Sequence, residues 1–436
     1  MRTAHTVLSR AGLKPINYLI YFALTVVLAL VLLILAAFLP QSAINQHVLD
    51  SEELIYRDVM NVRVADESTA STIDIGTDML ILRTSMATSS RYLGSVLSNP
   101  VYTYSDLTTW EGNAETVIRQ AYELPHDGMF DYAKYWLGFR AFVRFALTFL
   151  NYAQLKRYLA FLFFTLLAAA MSSVAKHTDS KLAFLFGLSI ILVRPHVMAT
   201  SMQLTCCFLI AFVAMLCIPW LSCHPQYEAL FFMEVGMVTM YMDFYTVPLV
   251  TLGLPLVYLC AMQASQGRRF SWKMLLKDSF VWFAGWGFMW IANLVLTTLL
   301  TSTNALESGI TSFMGRTGIT KRPHLMQYYS VSAAFDGIRE AVFSDTTGGI
   351  IYLLISALVL LAVYLGLKRK RISLRVLYNG YPFLFLAIVP LLWFVLTKQP
   401  IAIHYSFQYR TIALTHWAAG TYIWYLLYAP KKQLPE

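Results

Sequence analysis

Ten stretches of the chain combine apolar residues with few charges, at 16–39, 158–175, 182–194, 203–221, 229–242, 245–263, 279–300, 348–367, 379–397 and 411–428. Such runs predict membrane-crossing helices, because a bilayer core is spanned by roughly 20 apolar residues in helical form. The runs at 182–194 and 229–242 are shorter than a lone crossing needs and predict short or broken helices sheltered by their neighbours. Two long polar segments interrupt the pattern, at 40–157 and 301–349. The first closes on YWLGFRAFVRFALTFLNY (Tyr135 to Tyr152), where Arg140 and Arg144 stand four residues apart among aromatics. That spacing predicts a helix lying in the membrane interface.

The expected fold is therefore all-α and polytopic, with about 10 transmembrane helices in one membrane domain over 1–436. It has a first span at 16–39, an extracytoplasmic loop at 40–157, spans two to seven within 158–300, a second extracytoplasmic loop at 301–349, and spans eight to ten with a cytoplasmic tail at 350–436. The first run is too long for the apolar core of a signal peptide and is read as a retained span.

Composition agrees with this reading. The 436 residues are 58% hydrophobic and 13% charged, against roughly 25% charged in soluble domains. The net charge of +9 does not imply nucleic acid, because the basic residues sit in short clusters between apolar runs. With both termini cytoplasmic, those clusters (Lys176 and Lys181; Arg268, Arg269, Lys273 and Lys277; Lys368 to Arg371; Lys431 and Lys432) fall inside, as the positive-inside rule requires. Of the 24 carboxylates only Asp179, Glu228, Asp278 and Glu436 fall on that side. The five cysteines lie in or at the ends of apolar runs, so neither a disulfide framework nor a zinc site is expected.

The unusual polar residues then collect on the outer face. Asp50, Glu52 and Glu53 follow the first span, and TIDIGTDML places Asp74 and Asp78 one helical turn apart. VRPH supplies Arg194 and His196, MDFYTVP supplies Asp243 and Tyr245, and IHYSFQYR supplies His404, Tyr405 and Arg410. The basic stretch GRTGITKRPH supplies Arg316, Lys321, Arg322 and His324. Cations beside carboxylates at a membrane boundary suit a substrate with a phosphate head and a lipid tail: arginine binds phosphate with a planar fork of donors, and a carboxylate can take a proton from an attacking hydroxyl. Each residue also has a plainer reading. Exposed acids are solvated, arginines at span ends anchor to lipid, and Asp243, at a helix break before Pro248, can cap the next helix as well as serve a site.

An early acid after span one, an interfacial helix in a long first loop and many spans of unequal length resemble the GT-C superfamily of membrane glycosyltransferases. The segments IDIGTDML, YWLGFRAFVRF and HYSFQYR also resemble stretches of poorly characterised polytopic bacterial membrane proteins. The GT-C resemblance implies a bacterial plasma-membrane enzyme that moves a sugar from a polyprenyl-phosphate donor to a cell-envelope glycan or lipid on the outer face. It implies Asp50 as the base, with Asp74, Asp78 or Asp243 as alternatives. Arg140, Arg194, Lys321, Arg322 and Arg410 would hold the donor phosphate, and Tyr245, Tyr405, His404 and His196 would make polar contacts. Departures are the DSEE sequence at the acid and the lack of a WWDxG signature. No cofactor or metal is required, and a divalent cation held by carboxylates stays open. The expected partners are the lipid-linked donor, the acceptor and membrane lipids; nothing in the sequence sets an oligomeric state. A transporter or flippase using Asp243 and Glu234 is the alternative from another class.

Overall fold

The computed structural model describes residues 13–63, 66, 68–87, 93–107, 112–268, 271–321, 323–343, 346–369 and 374–428. The first helix, α1 (Pro15–Ala37), starts on a proline and presents apolar side chains all round. It buries only Ala29, Leu33, Ala36 and Ala37 against the protein. After it come six helices of the first polar segment: α2 (Gln41–Leu49), α3 (Glu52–Met60), α4 (Ile75–Met86), α5 (Leu93–Ser98), α6 (Gly112–Ala121) and α7 (Phe139–Leu147). The main helical body follows, with α8 (Tyr152–His177), α9 (Ser180–Ile191), α10 (Pro195–Met198), α11 (Met202–Cys223), α12 (Glu228–Met242), α13 (Leu249–Ser265) and α14 (Trp272–Leu300). The second polar segment forms α15 (Ala305–Thr317) and α16 (Val331–Phe343). The chain ends with α17 (Thr346–Arg369), α18 (Leu374–Asn379), α19 (Tyr381–Leu396), α20 (Lys398–Ile403), α21 (Tyr405–Gln408) and α22 (Ile412–Tyr428).

Each of the ten apolar runs coincides with a helix. Four of those helices, α1, α8, α11 and α14, are long and apolar enough to cross a membrane among the described residues, which points to a membrane protein. Among the described residues one pair of strands and an isolated bridge between Arg63 and Thr72 stand beside the helices. Strands β1 (Pro100–Thr103) and β2 (Gly128–Asp131) pair antiparallel with Val101 opposite Phe130, a two-stranded ribbon inside the first polar segment.

That segment is a packed unit rather than a solvated loop. Ile44, Ile55, Met79, Ile118 and Val143 form its core together with Tyr152 and Leu155 at the start of α8. The expectation for α7 is corrected here. Arg140 and Arg144 do not face lipid or phosphate; each is 1% exposed. Arg140 donates to the Val96 carbonyl at 2.7 Å. Arg144 donates to the Ala36 carbonyl at 2.8 Å, to Gln41 at 3.1 Å and to the Ser85 carbonyl. Carbonyls left over at helix ends need donors, and these arginines supply them, tying the end of α1 to α4 and α7.

The helical body is held by close backbone approach as well as side-chain packing. A Cβ at Gly236 of α12 would collide with the Trp282 carbonyl of α14, and one at Gly285 with the Met233 carbonyl. Small residues that let two helices touch are the usual basis of helix association where lipid removes the hydrophobic driving force. The strap Tyr132–Trp136 then crosses α14: Trp290 donates to the Lys134 carbonyl at 3.1 Å, Asn293 to the Ala133 carbonyl at 2.9 Å, and Trp136 to the Met289 carbonyl at 2.7 Å.

Candidate functional site

Three of the acids predicted from sequence meet at the N-terminus of α11, each in a different state. Asp78 is fully buried and accepts hydrogen bonds from Ser201 Oγ at 3.1 Å and from the Met202 and Gln203 amides at 3.0 and 2.9 Å. It thereby satisfies amides that a helix start leaves without partners, where the helix dipole also favours negative charge. Burial pushes its pKa up to about 7, against the pull of Lys156 and of those amide bonds. Asp243 is 4% exposed and accepts from the Thr246 amide at 2.9 Å, from Thr246 Oγ1 at 2.5 Å and from Gln203 Nε2 at 3.1 Å. Its oxygens are committed to the turn after α12 and to Gln203 of α11; α13 starts at Leu249 behind Pro248 with no side-chain cap, so Asp243 closes the turn and does not cap the next helix. Asp74 is half-buried. It caps α4 through the Thr77 amide at 3.2 Å and borders open space. Burial raises its pKa above the ordinary carboxylate value, opposed by the bonds from Thr77.

Asp74 borders a polar cavity of about 350 Å³, whose other walls include Lys134, Gln203, Tyr245, Arg316 and His404. Helix α15 ends at Gly318, whose φ of +77° is the left-handed closing turn that glycine provides without a steric penalty. Arg316 sits in the last turn before it, where a cation also complements the helix dipole. Its guanidinium lies 4.9 Å from the ring centre of Tyr245 and 5.4 Å from that of Tyr135. It forms no ion pair with a described carboxylate. Among cations of the described residues, it thus combines a cavity-facing position with aromatic rather than carboxylate partners. Burial, and then the charges of Arg316 and Lys134, lower the pKa of His404 to about 4, so its ring is neutral at pH 7.

Tyr245 holds φ at +70°. A non-glycine residue there costs on the order of 1–3 kcal/mol, a strain that gathers at functional positions. Its ring lies beside Arg316 and at centroid distances of 5.9 Å and 5.5 Å from the indoles of Trp286 and Trp393. These rings begin a second cavity of about 560 Å³, mostly apolar, that shares Lys134, Tyr245, Ser312 and Arg316 with the first. It runs past Trp290 and Phe313 to Val395 and Leu396, and the last three of those named, Phe313, Val395 and Leu396, are exposed on the apolar surface. Arg316 therefore stands where a polar chamber meets an aromatic groove.

The remaining predicted residues lie elsewhere. Asp50, the first choice as base, is exposed at the end of α2, accepts from Gln46 at 2.9 Å and does not border the chamber. Arg194 pairs with Asp66 at 2.8 Å and donates to Ser68 and Ser71, and His196 is exposed beside it. Arg410 is buried and donates to the Ala70 carbonyl at 2.8 Å and the Ser406 carbonyl at 2.9 Å. Tyr405 donates to Glu340 at 3.0 Å. Lys321 is exposed and away from the chamber, and Arg322 lies outside the described residues. Asp74, Tyr245 and His404 are thus brought together; Lys134 and Gln203, which join them, carry no sequence signal beyond the tyrosines flanking Lys134. No group of three or more His, Cys, Asp or Glu side chains able to hold a metal occurs among the described residues.

Fold and site together define a predominantly helical protein with helices apolar enough to cross a membrane and a polar chamber opening onto an aromatic groove. Compared with known proteins, the chain matches no family model, no curated protein and no solved structure, so its activity has to be read from the chamber itself.

Proposed function

We propose that the chain is a membrane glycosyltransferase of GT-C type that takes a sugar from a polyprenyl-phosphate donor, with the phosphate at Arg316, the sugar in the chamber and the polyprenyl chain in the aromatic groove. The observation that carries this reading is the position of Arg316 at the junction of the two cavities. An amphiphile with one phosphate matches that junction in charge and polarity: arginine offers the donor fork, and the tryptophan-lined groove offers apolar surface. Lys134 adds a second cation from the strap.

In the reaction, the acceptor hydroxyl attacks the anomeric carbon as the bond from that carbon to the phosphate oxygen breaks. Asp74 takes the hydroxyl proton, and the departing polyprenyl phosphate carries its charge to Arg316 and Lys134. A carboxylate with a raised pKa is the stronger base, which suits Asp74 to the role, and Asp50 does not border the chamber. Neutral His404 can donate or accept one hydrogen bond to a sugar hydroxyl without adding charge. The reading places the chamber on the outer face of a bacterial plasma membrane, with a cell-envelope glycan or lipid as acceptor.

The test is consumption of donor by the purified full-length protein in lipid nanodiscs, using a panel of polyprenyl-phosphate hexoses and pentoses and following release of polyprenyl phosphate. The expected result is turnover of one donor by the wild type and not by Asp74→Asn. Absence of turnover across the panel, together with no protection of the protein by polyprenyl phosphate, would overturn the reading.

A further inference from the structure

A second groove, of about 610 Å³, lies across the first turn of α11 from the chamber. It touches Ala199 and Thr200, just before that helix, whereas the chamber touches Gln203, and Asp78 bonds to the residues between. Among the described residues, Arg57 and Arg63 from the end of α3 and the residues after it, Lys156 and Arg157 from α8, and the carboxylate of Asp58 border it. Asp58 is already engaged: Lys156 Nζ lies 2.5 Å from it and Tyr152 donates to it at 3.3 Å. Lys156 also lies 5.3 Å from the Tyr152 ring centre. The carboxylate therefore holds Lys156 in place, and Arg57 and Arg157 add positive charge at the rim.

The floor of the groove is apolar. Leu54, Ala153 and Ala160 form it, the two alanines of α8 leaving a channel between larger neighbours. On α8, Arg157, Phe161 and Phe164 follow at four- and three-residue steps and so share one face. Phe161 and Phe164 are 69% and 45% exposed, on one of the helices apolar enough to cross a membrane. Cations above a small-residue channel that leads onto an exposed aromatic stripe match a phosphate headgroup with its acyl chain below.

We propose that this groove binds the phosphate of an anionic lipid, with an acyl chain laid along α8 past Ala160, as a site separate from the chamber and independent of the transferase reading. Arg57 and Arg157 make the charge-assisted hydrogen bonds, and the channel makes the chain a required part of the ligand.

The full-length protein in detergent is titrated with phosphatidylglycerol, phosphatidylcholine or inorganic phosphate, following melting temperature and, by native mass spectrometry, bound lipid. Phosphatidylglycerol is expected to raise the melting temperature and to stay bound; phosphatidylcholine and inorganic phosphate are expected to do neither. The double variant Arg57→Gln, Arg157→Gln should bind phosphatidylglycerol roughly tenfold to thirtyfold more weakly, from the loss of two interfacial cations. Ala160→Leu, which fills the channel and leaves the cations, should weaken lipid binding as well, and Asp74→Asn should leave it unchanged. Equal effects of both lipids, an equal shift with inorganic phosphate alone, or wild-type lipid retention in both groove variants would overturn the proposal.

Discussion

Arginine does opposite things in two regions of this molecule. In the packed unit between α1 and α8, Arg140 and Arg144 are surrounded by protein and donate to backbone carbonyls, while Nη1 of Arg140 stays buried without a partner among the described residues. At the chamber, Arg316 lies over the rings of Tyr135 and Tyr245 and borders open space. A guanidinium that satisfies stranded carbonyls is a structural clamp, because removing it leaves buried acceptors without partners. A guanidinium held by aromatic faces keeps its donors available for a ligand. The partners of an arginine, more than its place in the sequence, separate the two uses.

The largest expected effect comes from the clamp. Arg144→Ala strands the carbonyls of Ala36 and Ser85 and opens a void, and should cost about 3–5 kcal/mol. The measurement is the yield of monodisperse protein and its melting temperature in detergent. A variant that purifies at wild-type yield and melts within a few degrees of the wild type would mean that the bonds to those carbonyls contribute little.

The next contrast is between two acids. Asp74→Asn keeps helix capping, since asparagine caps as well as aspartate, but removes the base, so transfer should fall by about 10²–10⁴ with little change in stability. Asp50→Asn, on an exposed carboxylate outside the chamber, should change stability by no more than about 0.5 kcal/mol and leave transfer intact. The pH profile carries the sign. Asp74 must be deprotonated to act, and burial raises its pKa, so the acid limb of the rate should lie above the ordinary carboxylate value of about 3.9 and should be missing from any residual activity of the Asn variant. Loss of transfer in Asp50→Asn with Asp74→Asn unaffected would reverse the assignment.

Arg316→Ala follows. Loss of one cation that stabilises a leaving phosphate should lower transfer by about 10²–10³. Because the side chain borders open space and has no described carboxylate partner, stability should change by about 1 kcal/mol or less. Arg316→Lys keeps the charge and loses the fork, and should recover only part of the rate. Full activity in the Ala variant would remove the phosphate from this position.

Much of the fold was legible because apolar runs report helices directly: each of the ten runs is a helix, with ends within a few residues for most. The start of α8 was set six residues too late, because Tyr152 and Leu155 face the core of the packed unit while Lys156 and Arg157 break the apolar run. The ribbon β1–β2 was missed because four-residue strands carry too little alternation to stand out. The site was legible in part for a similar reason. Tyr245 and His404 stand at breaks between apolar runs, and Asp74 is marked by its one-turn spacing from Asp78 in the first polar segment; all three border the chamber. The choice of phosphate ligand was not legible, because Arg140, Arg194, Arg410 and Arg316 all look alike at that level. What tells them apart is the stranded carbonyls of Val96 and Ala70, the carboxylate of Asp66 and the rings around Arg316, and those partners lie 44, 340, 128 and 71 or more residues away in sequence.

Arg194 gives the smallest effect and the finest version of the contrast. It shares the cation's usual preference for a carboxylate, pairing with Asp66, whose side chain is 41% exposed. An ion pair that open to water contributes about 1 kcal/mol at most, so Arg194→Gln should lower the melting temperature only slightly and leave transfer unchanged. Burial works against ionised Asp66, but the bonds from Ser68 and Ser71 and the charge of Arg194 hold its pKa down to about 2. A carboxylate whose folded pKa lies below its unfolded value contributes stability at all pH values above the unfolded one, about 3.9, and loses it as pH falls through the folded one. The small advantage of wild type over Arg194→Gln should therefore be constant from neutral pH down to about 4 and shrink below it. A fall in transfer with melting unchanged would instead move Arg194 from the structural arginines to the ligand-binding ones.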